Sequence, residues 1–346
     1  YTTIDKPTDY FNTITYTGDG TTSHAITGVG FQPDWVWIKN RIDAENHSKY
    51  DVVRGANKVL YSNGNNAENT ETNGLASFDS DGFTVGNNDS VNSNTDSHVA
   101  WNWLAGGTAS SNSNGDITSS VSANTTAGFS IVSYTGNGSA GATVGHGLGS
   151  APAVMIFKIR NTADNWRVYH QGIDATAPED YHVQFNSTGA RIDNAGFFND
   201  TAPTSSVFTL GSDSGINGSS NTYISYCFAE KKGYSKFGSY VGNSNVDGPF
   251  IYLGFKPAFV LAKVSSDTND WFIFDNKRST FNAVDDSLFP NKNDAESTSH
   301  VIDFLSNGFK IRDSDGTVNS TGNTYIYMAF AESPFVTSTG IPTTAR

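Results

Sequence analysis

Side-chain character alternates with a period of two in a short segment that occurs three times along the chain. The copies are residues 98–104, 223–229 and 325–331, which read HVAWNWL, YISYCFA and YIYMAFA. Successive side chains of a β-strand point to opposite faces of a sheet, so this period is typical of a strand. The pattern predicts that one strand is repeated three times, each time at the end of a larger unit.

A second recurring segment is continuously apolar and begins with proline. Residues 33–39, 152–158 and 257–263 read PDWVWIK, PAVMIFK and PAFVLAK. An unbroken apolar run of this length predicts a strand that is covered on both faces. Proline is tolerated at the first position of a strand, because no backbone donor is needed there.

Weaker anchors support the same alignment. Each unit opens with a Tyr-x-Gly turn at residues 16–18, 134–136 or 240–242, and one asparagine recurs in register before the closing strand. These asparagines are Asn92, Asn217 and Asn319. A third strand aligns more loosely at residues 47–51, 166–170 and 271–275.

The repeats predict an all-β fold of three tandem antiparallel β-sandwich repeats of the jelly-roll type. We place the first repeat at residues 1–107, the second at 128–233, and the third, with a C-terminal tail, at 234–346. Residues 108–127 are rich in Gly, Ser and Asn and are predicted to be a flexible linker. A β-propeller is the alternative, but units of about 100 residues are too long to be single blades.

Composition excludes several classes of protein. The 346 residues include 21 Lys and Arg against 34 Asp and Glu, a net charge of −13, so nucleic acid is not an expected partner. We find no signal peptide and no apolar run of 18 residues, so membrane insertion is not expected. The one cysteine, Cys227, lies in an apolar strand and is predicted to be buried.

Two acidic turns are candidates for a cation site. Residues 79–82 and 313–316 both read DSDG, and carboxylates around a glycine turn suit calcium. However, the third repeat has LSNG at residues 305–308, in register with 79–82, which keeps a hairpin turn but loses the first carboxylate. We therefore favour the interpretation that these segments are turns over the interpretation that they bind a cation. The seven histidines lack the spacing of a metal site, so no metal or cofactor is expected.

Paired acids are the candidates for catalysis. Glu230 and Glu332 occupy equivalent positions after the closing strands, and equivalent residues of separate units are not expected to face each other as glycoside hydrolysis requires. Asp51 and Asp275 each precede an arginine by three residues, at Arg54 and at position 278, which predicts local ion pairs or turn caps. We expect no catalytic residue, and the chain is predicted not to be an enzyme.

Aromatic residues have two interpretations, core packing and sugar binding. Five tryptophans fall on predicted strands, where packing is the default, although an exposed ring can stack on a sugar. They are Trp37, Trp101, Trp103, Trp166 and Trp271. The sequence identifies no binding residue. Since loops carry specific function more often than scaffolds do, we expect it in loops that the repeats do not share, such as residues 63–73 or 174–188.

At the motifs in residues 28–41, 100–103 and 329–335, which read GVGFQPDWVWIKNR, AWNW and AFAESPF, the chain resembles a repeat family of tailed phages of marine bacteria. Members of that family look like tail-fibre or other virion-appendage proteins. The resemblance covers residues 1 to about 336, and it implies a virion location rather than a reaction. In one departure, the first repeat ends in Leu104-Ala105-Gly106, where the others have Ala-Glu.

The sequence therefore predicts a virion surface protein that is assembled in the host cytoplasm and that displays loops to a host glycan or protein receptor. Its expected partners are other virion proteins and copies of itself, with a trimer inferred by analogy. One alternative is a purely structural capsid or tail decoration protein. The second alternative is a polysaccharide depolymerase.

Overall fold

A computed structural model of the protein describes residues 1–343, and these residues form an all-β structure. Residues 1–107 contain the strands β1 (Phe11–Thr17), β2 (His24–Thr27), β3 (Trp35–Asn40), β4 (Ser48–Asp51), β5 (Lys58–Tyr61), β6 (Asn69–Thr70), β7 (Leu75–Asp79), β8 (Gly82–Val85) and β9 (Ser97–Trp103). Residues 108–233 contain β10 (Ser110–Asn112), β11 (Ser119–Asn124), β12 (Phe129–Thr135), β13 (Ala142–Gly145), β14 (Val154–Ile159), β15 (Arg167–His170), β16 (Tyr181–Gln184), β17 (Ile192–Asp193), β18 (Val207–Leu210) and β19 (Thr222–Phe228).

The third repeat contains seven strands within the described residues. They are β20 (Ser235–Val241), β21 (Phe250–Tyr252), β22 (Phe255–Val264), β23 (Trp271–Asp275), β24 (Ile302–Leu305), β25 (Gly308–Ile311) and β26 (Thr324–Pro334). Helix is limited to single turns: α1 (Asp89–Asn92), α2 (Ala195–Phe198), α3 (Ser214–Asn217), α4 (Gly316–Asn319) and the 3-10 turns Pro7–Asp9 and Pro178–Asp180.

The strands pair antiparallel in three large and three small sheets. The large sheets have the orders β1-β9-β3-β4-β5-β6, β10-β11-β12-β19-β14-β15-β16-β17 and β20-β26-β22-β23. In each one, the closing strand lies between the opening strand and the strand of the recurring proline, which precedes β3 and β14 but lies within β22, at a register shift. The small sheets are β2-β8-β7, β13-β18 and β21-β25-β24. The pairing thus follows the three sequence repeats.

The strand that follows the proline is buried on both faces, as its apolar run predicts. All six residues of β3 are buried, as are all six of β14. In β3, Val36 and Ile38 point into a core that the first repeat encloses by itself. Trp35 and Trp37 point from the opposite face into a core that contains residues of all three repeats. The two faces of one strand therefore serve two different cores.

The shared core holds the three repeats together through aromatic contacts. Trp35 of the first repeat stacks on Tyr226 of the second, with ring centroids 4.4 Å apart. Phe11 of the first repeat stacks on Phe330 of the third at 5.1 Å, and Phe228 of the second contacts Phe330 edge-on at 5.8 Å. Buried aromatic pairs of this kind add directional attraction to the burial of apolar surface. Each repeat therefore completes the core of the other two.

The predicted flexible linker contains two paired strands. In residues 108–127, β10 pairs with β11 from Ser110↔Val121 to Asn112↔Ser119, and β11 pairs with β12 from Ser120↔Ser133 to Asn124↔Phe129. Composition suggested a linker because serine and asparagine dominate. The sheet is stabilised here by backbone hydrogen bonds, which any residue with an N–H group can make. The apolar Val121 is buried in this strand.

The segments at residues 79–82 and 305–308 are hairpin turns, as the repeat register predicts, whereas in residues 313–316 Asp315 caps the N-terminus of α4. Asp79 pairs with Gly82, and Leu305 pairs with Gly308, each across a two-residue turn. A Cβ atom at Gly82 or at Gly308 would lie 2.0 Å from a backbone oxygen of the adjacent strand. Glycine is therefore required at this position by the close approach of two strands, which agrees with the turn interpretation.

The recurring asparagine connects the opening turn of each repeat to the single-turn helix before the closing strand. The amide oxygen of Asn217 accepts a hydrogen bond from the Asn137 N–H at 3.0 Å, and its Nδ2 donates to Ser139 O and Gly211 O. Asn92 and Asn319 accept the corresponding bond at 3.0 and 2.9 Å. A buried amide with these partners satisfies backbone groups that the turn leaves unpaired.

Candidate functional site

The five tryptophans from the predicted strands are buried, with exposed fractions of 2% or less. Their indole rings pack in the core that the three repeats share. Trp166 donates its Nε1–H to Tyr61 O of the first repeat, and Trp271 donates to Gln184 O of the second. These rings are unavailable to a ligand, and the core interpretation of the sequence is confirmed.

The predicted pairs of aspartate and arginine are confirmed as buried ion pairs. Arg54 donates Nε–H to Asp51, and Arg278 donates Nε–H to Asp275 at 2.6 Å. Each aspartate also accepts a hydrogen bond from a second repeat: Tyr226 Oη–H reaches Asp51 at 2.7 Å, and Trp101 Nε1–H reaches Asp275 at 3.0 Å. These charged groups hold the junctions between repeats and do not face an open cavity.

The segments predicted to be unshared loops contain regular structure, because residues 63–73 include β6 and residues 174–188 include β16. Both segments lie at junctions between repeats. In residues 63–73, Glu68 forms an ion pair with Arg160 of the second repeat at 2.9 Å. In residues 174–188, the Thr188 carbonyl accepts a hydrogen bond from the Asn269 N–H of the third repeat at 2.9 Å. Both loops therefore contribute to packing between repeats, a role that the sequence did not suggest for them.

The two glutamates considered for catalysis have different surroundings. Glu332 forms an ion pair with Lys256 at 2.8 Å and accepts a hydrogen bond from Asn276 at 3.0 Å. Glu230 lies on the wall of an open groove and accepts a hydrogen bond from Gln171 Nε2 at 3.2 Å. Burial raises the pKa of Glu230 above its ordinary value, although Gln171 and Lys236 act in the opposite direction.

The groove beside Glu230 has a volume of about 540 Å³ and lies where the second and third repeats meet the two ends of the described chain. A volume of this size accommodates a small organic ligand. Its walls combine aromatic rings, lysines and small polar residues. The lining residues are Tyr1, Thr2, Glu230, Lys232, Gly233, Ser235, Lys236, Tyr252, Leu253, Gly254, Phe335 and Val336.

Large exposed hydrophobic side chains are concentrated on the third repeat. Seven of the ten in residues 1–343 belong to it. The other three are Tyr1 and Ile42 of the first repeat and Ile192 of the second. The seven are Val241, Val246, Phe250, Tyr252, Phe281, Phe335 and Ile341. Contiguous exposed apolar surface marks binding sites in many soluble proteins.

The repeats differ most clearly at β21, the strand that lies next to the groove. Phe250 and Tyr252 point outwards, with exposed fractions of 47% and 56%, while Ile251 between them is buried. Pairing with the adjacent strand aligns Tyr252 with Thr27 in the first repeat and with Gly145 in the second. The third repeat therefore has a large exposed ring where the first has an exposed threonine and the second a glycine buried beneath Asn112.

Lysine side chains give the groove a positive balance. Lys232 and Lys236 line it together with the single carboxylate of Glu230. Lys236 donates Nζ–H to Tyr252 O at 2.8 Å, and its Nζ lies 5.4 Å from the centroid of the Tyr252 ring. An ammonium group is therefore fixed beside the exposed ring.

The sequence did not identify these groove residues as a site. Tyr252 could have been found by comparing the outward positions of the small-sheet strands between repeats. Lys232 gave no such signal, because it lies in the short connection between the second and third repeats, where lysine is unremarkable. The convergence of Tyr252, Phe335 and Lys232 depends on how two repeats meet.

Within residues 1–343, no group of three or more His, Cys, Asp or Glu side chains is arranged to hold a metal ion. The helices described above also lack the length and apolar character needed to cross a membrane.

Residues 6–334 match the family described as Domain of unknown function (DUF7483). The chain belongs to the DUF7483 family. The match to DUF7483 extends through all three sequence repeats and includes β20, β21 and the Lys232 connection, so most of the groove lies within it. Comparisons with curated proteins and with solved structures give no match.

Proposed function

We propose that the chain is a non-enzymatic attachment protein of a phage virion, and that it binds a saccharide of the host surface in the groove of the third repeat. The observation that carries the proposal is the exposed ring of Tyr252 beside this groove, where the other repeats have Thr27 and Gly145. The apolar face of a sugar ring packs on an exposed aromatic ring, while its hydroxyl groups bond to polar side chains nearby.

We interpret the scaffold as three tandem antiparallel β-sandwich repeats of the jelly-roll type. The order of opening, closing and proline-led strands recurs in each large sheet, and each repeat also has its own small sheet. Three apolar clusters, one to each repeat, support this interpretation. A scaffold of this kind provides a rigid base, so the groove is preorganised before a ligand arrives.

Screening of the full chain against an array of bacterial surface saccharides tests the binding site. We expect the wild type to bind at least one saccharide, and Tyr252→Ala to bind it at least about tenfold more weakly. Phe281→Ala is the matched control, since Phe281 is an exposed aromatic residue of the same repeat outside the groove. Absence of saccharide binding, or equal loss in both variants, would contradict the proposal.

The virion location rests on the resemblance of the three motifs to phage appendage proteins. Mass spectrometry of purified particles, followed by electron microscopy with an antibody to the chain, tests it directly. We expect the chain on the particle surface, in contact with other virion proteins and with copies of itself. Particles that lack the chain would overturn this part of the proposal.

A decoration protein that binds only other virion proteins is the second candidate. It is favoured by exposed apolar side chains outside the groove, such as Val241, Val246 and Phe281. In that case the purified chain binds particles from which it is missing, and Val246→Asp weakens that binding while no saccharide is bound. A reducing-end assay tests the depolymerase alternative, which would require activity that Glu230→Gln abolishes.

A further inference from the structure

We infer that the ligand of the groove is an acidic saccharide, and that Lys232 and Lys236 bind its anionic group while the sugar ring lies on Tyr252. This inference rests on the proposed saccharide-binding function and specifies its ligand. It goes beyond that function because an aromatic ring alone does not distinguish an acidic sugar from a neutral one.

The position of Lys236 is the first support. Its Nζ donates to the backbone oxygen of Tyr252 at 2.8 Å and lies 5.4 Å from the centroid of the same ring. This bond uses one of the three donors of the ammonium group, and the other two can reach a ligand. The ammonium group lies over the Tyr252 ring, so a ligand that reaches this ring also meets a cation.

The charge balance of the groove is the second support. The chain carries a net charge of −13, yet two lysines and one glutamate line this groove. The neighbouring Lys256 is neutralised by Glu332 at 2.8 Å, whereas the hydrogen bond of Lys236 goes to a neutral carbonyl. A locally positive groove on an acidic protein attracts an anion to this place.

The hydrogen bond of Gln171 is the third support. Gln171 Nε2 donates to Glu230 at 3.2 Å and to Phe237 O at 2.6 Å. It holds the carboxylate against the wall that the second repeat provides. The carboxylate therefore has a hydrogen-bond partner other than the two lysines.

Calorimetric titration of the full chain with two matched ligands tests the inference. The first probe is an oligosaccharide of hexuronate residues, called the hexuronate below. The second is the same oligosaccharide after chemical reduction of its carboxyl groups. We expect the hexuronate to bind at least about tenfold more tightly at 50 mM salt, and the difference to shrink at 500 mM salt because ions screen the charges. Lys232→Gln and Lys236→Gln should each weaken hexuronate binding about three- to tenfold and weaken binding of the reduced ligand clearly less, so that each variant narrows the difference in affinity between the two ligands.

Glutamine at position 236 retains a donor for Tyr252 O, so the variant changes the charge more than the position of the ring. Lys58→Gln on the first repeat is the control for a general loss of positive charge. Equal affinity for both ligands would overturn the acidic specificity and leave the saccharide site in place. Failure of both ligands and of the saccharide array would overturn the site itself.

Discussion

The phenol hydroxyl of Tyr226 donates a 2.7 Å hydrogen bond to Oδ2 of Asp51, which lies 175 positions earlier in the chain. The same relationship occurs between Trp101 and Asp275, with the donor again on a closing strand and the acceptor at the end of a third strand. The repeats are thus joined by equivalent polar contacts inside an apolar core. Both aspartates keep an arginine of their own repeat as a second partner.

Tyr226→Phe removes the first of these contacts without changing the shape of the ring. We expect a loss of about 2 kcal/mol in the free energy of unfolding, because a hydrogen bond to a buried carboxylate is replaced by nothing. Denaturant unfolding measures it. Tyr252→Phe is the control and should change stability by less than about 0.5 kcal/mol, since that ring is exposed. Equal effects of the two variants would contradict a stabilising role of the hydrogen bond between Tyr226 and Asp51.

At the junction between the second and third repeats, His170 occupies the position that Asp51 and Asp275 have in the other two repeats. His170 donates Nε2–H to Tyr327 O at 2.9 Å and accepts the Gly172 N–H at Nδ1 at 2.9 Å, an arrangement that needs the neutral ring. Burial lowers the pKa of His170 from 6.5 to about 4. As the pH falls, His170 is therefore protonated in the unfolded chain before it is protonated in the folded one. The stability that the neutral His170 contributes is complete above pH 6.5 and is lost as the pH falls towards 4.

His170→Asn keeps an acceptor for the Gly172 N–H and removes the titrating group. We expect stability to fall less steeply between pH 6.5 and 4 in the variant, by up to about 1.4 kcal/mol per pH unit. Unfolding curves at several pH values measure the difference. Burial also lowers the pKa of His47, His98, His146 and His182, so the variant retains part of the acid sensitivity. Parallel curves for both proteins would refute the prediction for His170.

Lys49 is a buried amine in an aromatic setting. Its Nζ has no hydrogen-bond partner within residues 1–343 and lies 3.4 Å from the ring centroid of Trp37. The other two repeats have Val168 and Ile273 at this position. Because burial lowers the pKa of Lys49, the protein binds fewer protons folded than unfolded, and stability rises with pH towards the ordinary lysine value of about 10.4.

Lys49→Met replaces this amine by an apolar side chain of similar length. We expect the variant to be more stable at pH 7 by about 1–3 kcal/mol, because an unpaired polar group leaves the core. The advantage should decrease as the pH rises. Denaturant unfolding at pH 7 and 9.5 measures both effects, and a variant that is less stable at pH 7 would show that the amine contributes favourably over Trp37.

Cys227 is a natural reporter of unfolding. It is fully buried, and burial raises the pKa of its thiol to about 12, so the reactive thiolate is scarce in the folded protein. We expect no reaction with an Ellman-type disulfide reagent at pH 8 and one reacting thiol per chain in denaturant. Cys227→Ser gives the baseline. Rapid reaction of the native protein would mean that the second repeat opens locally.

The sequence predicted the strands well because their determinants are local. The period of two in residues 223–229 and the apolar run in residues 152–158 both indicate extended backbone, and both strands are buried on both faces. The flexible linker at residues 108–127 was wrong in β10 and β11 because polar composition reports solvent exposure, and an exposed strand can still be paired. Comparison of β21 between repeats could have singled out Tyr252.

By itself the sequence determined that the protein is all-β, where its repeated strands lie, and which tryptophans and acids serve packing and ion pairs. The tertiary structure decided that Asp51 meets Tyr226, that residues 63–73 and 174–188 lie at junctions, and that Tyr252, Phe335 and Lys232 surround one groove. The physical reason is distance along the chain. Burial and period are recorded in neighbouring residues, whereas contacts between repeats depend on how complete sheets pack around a common core.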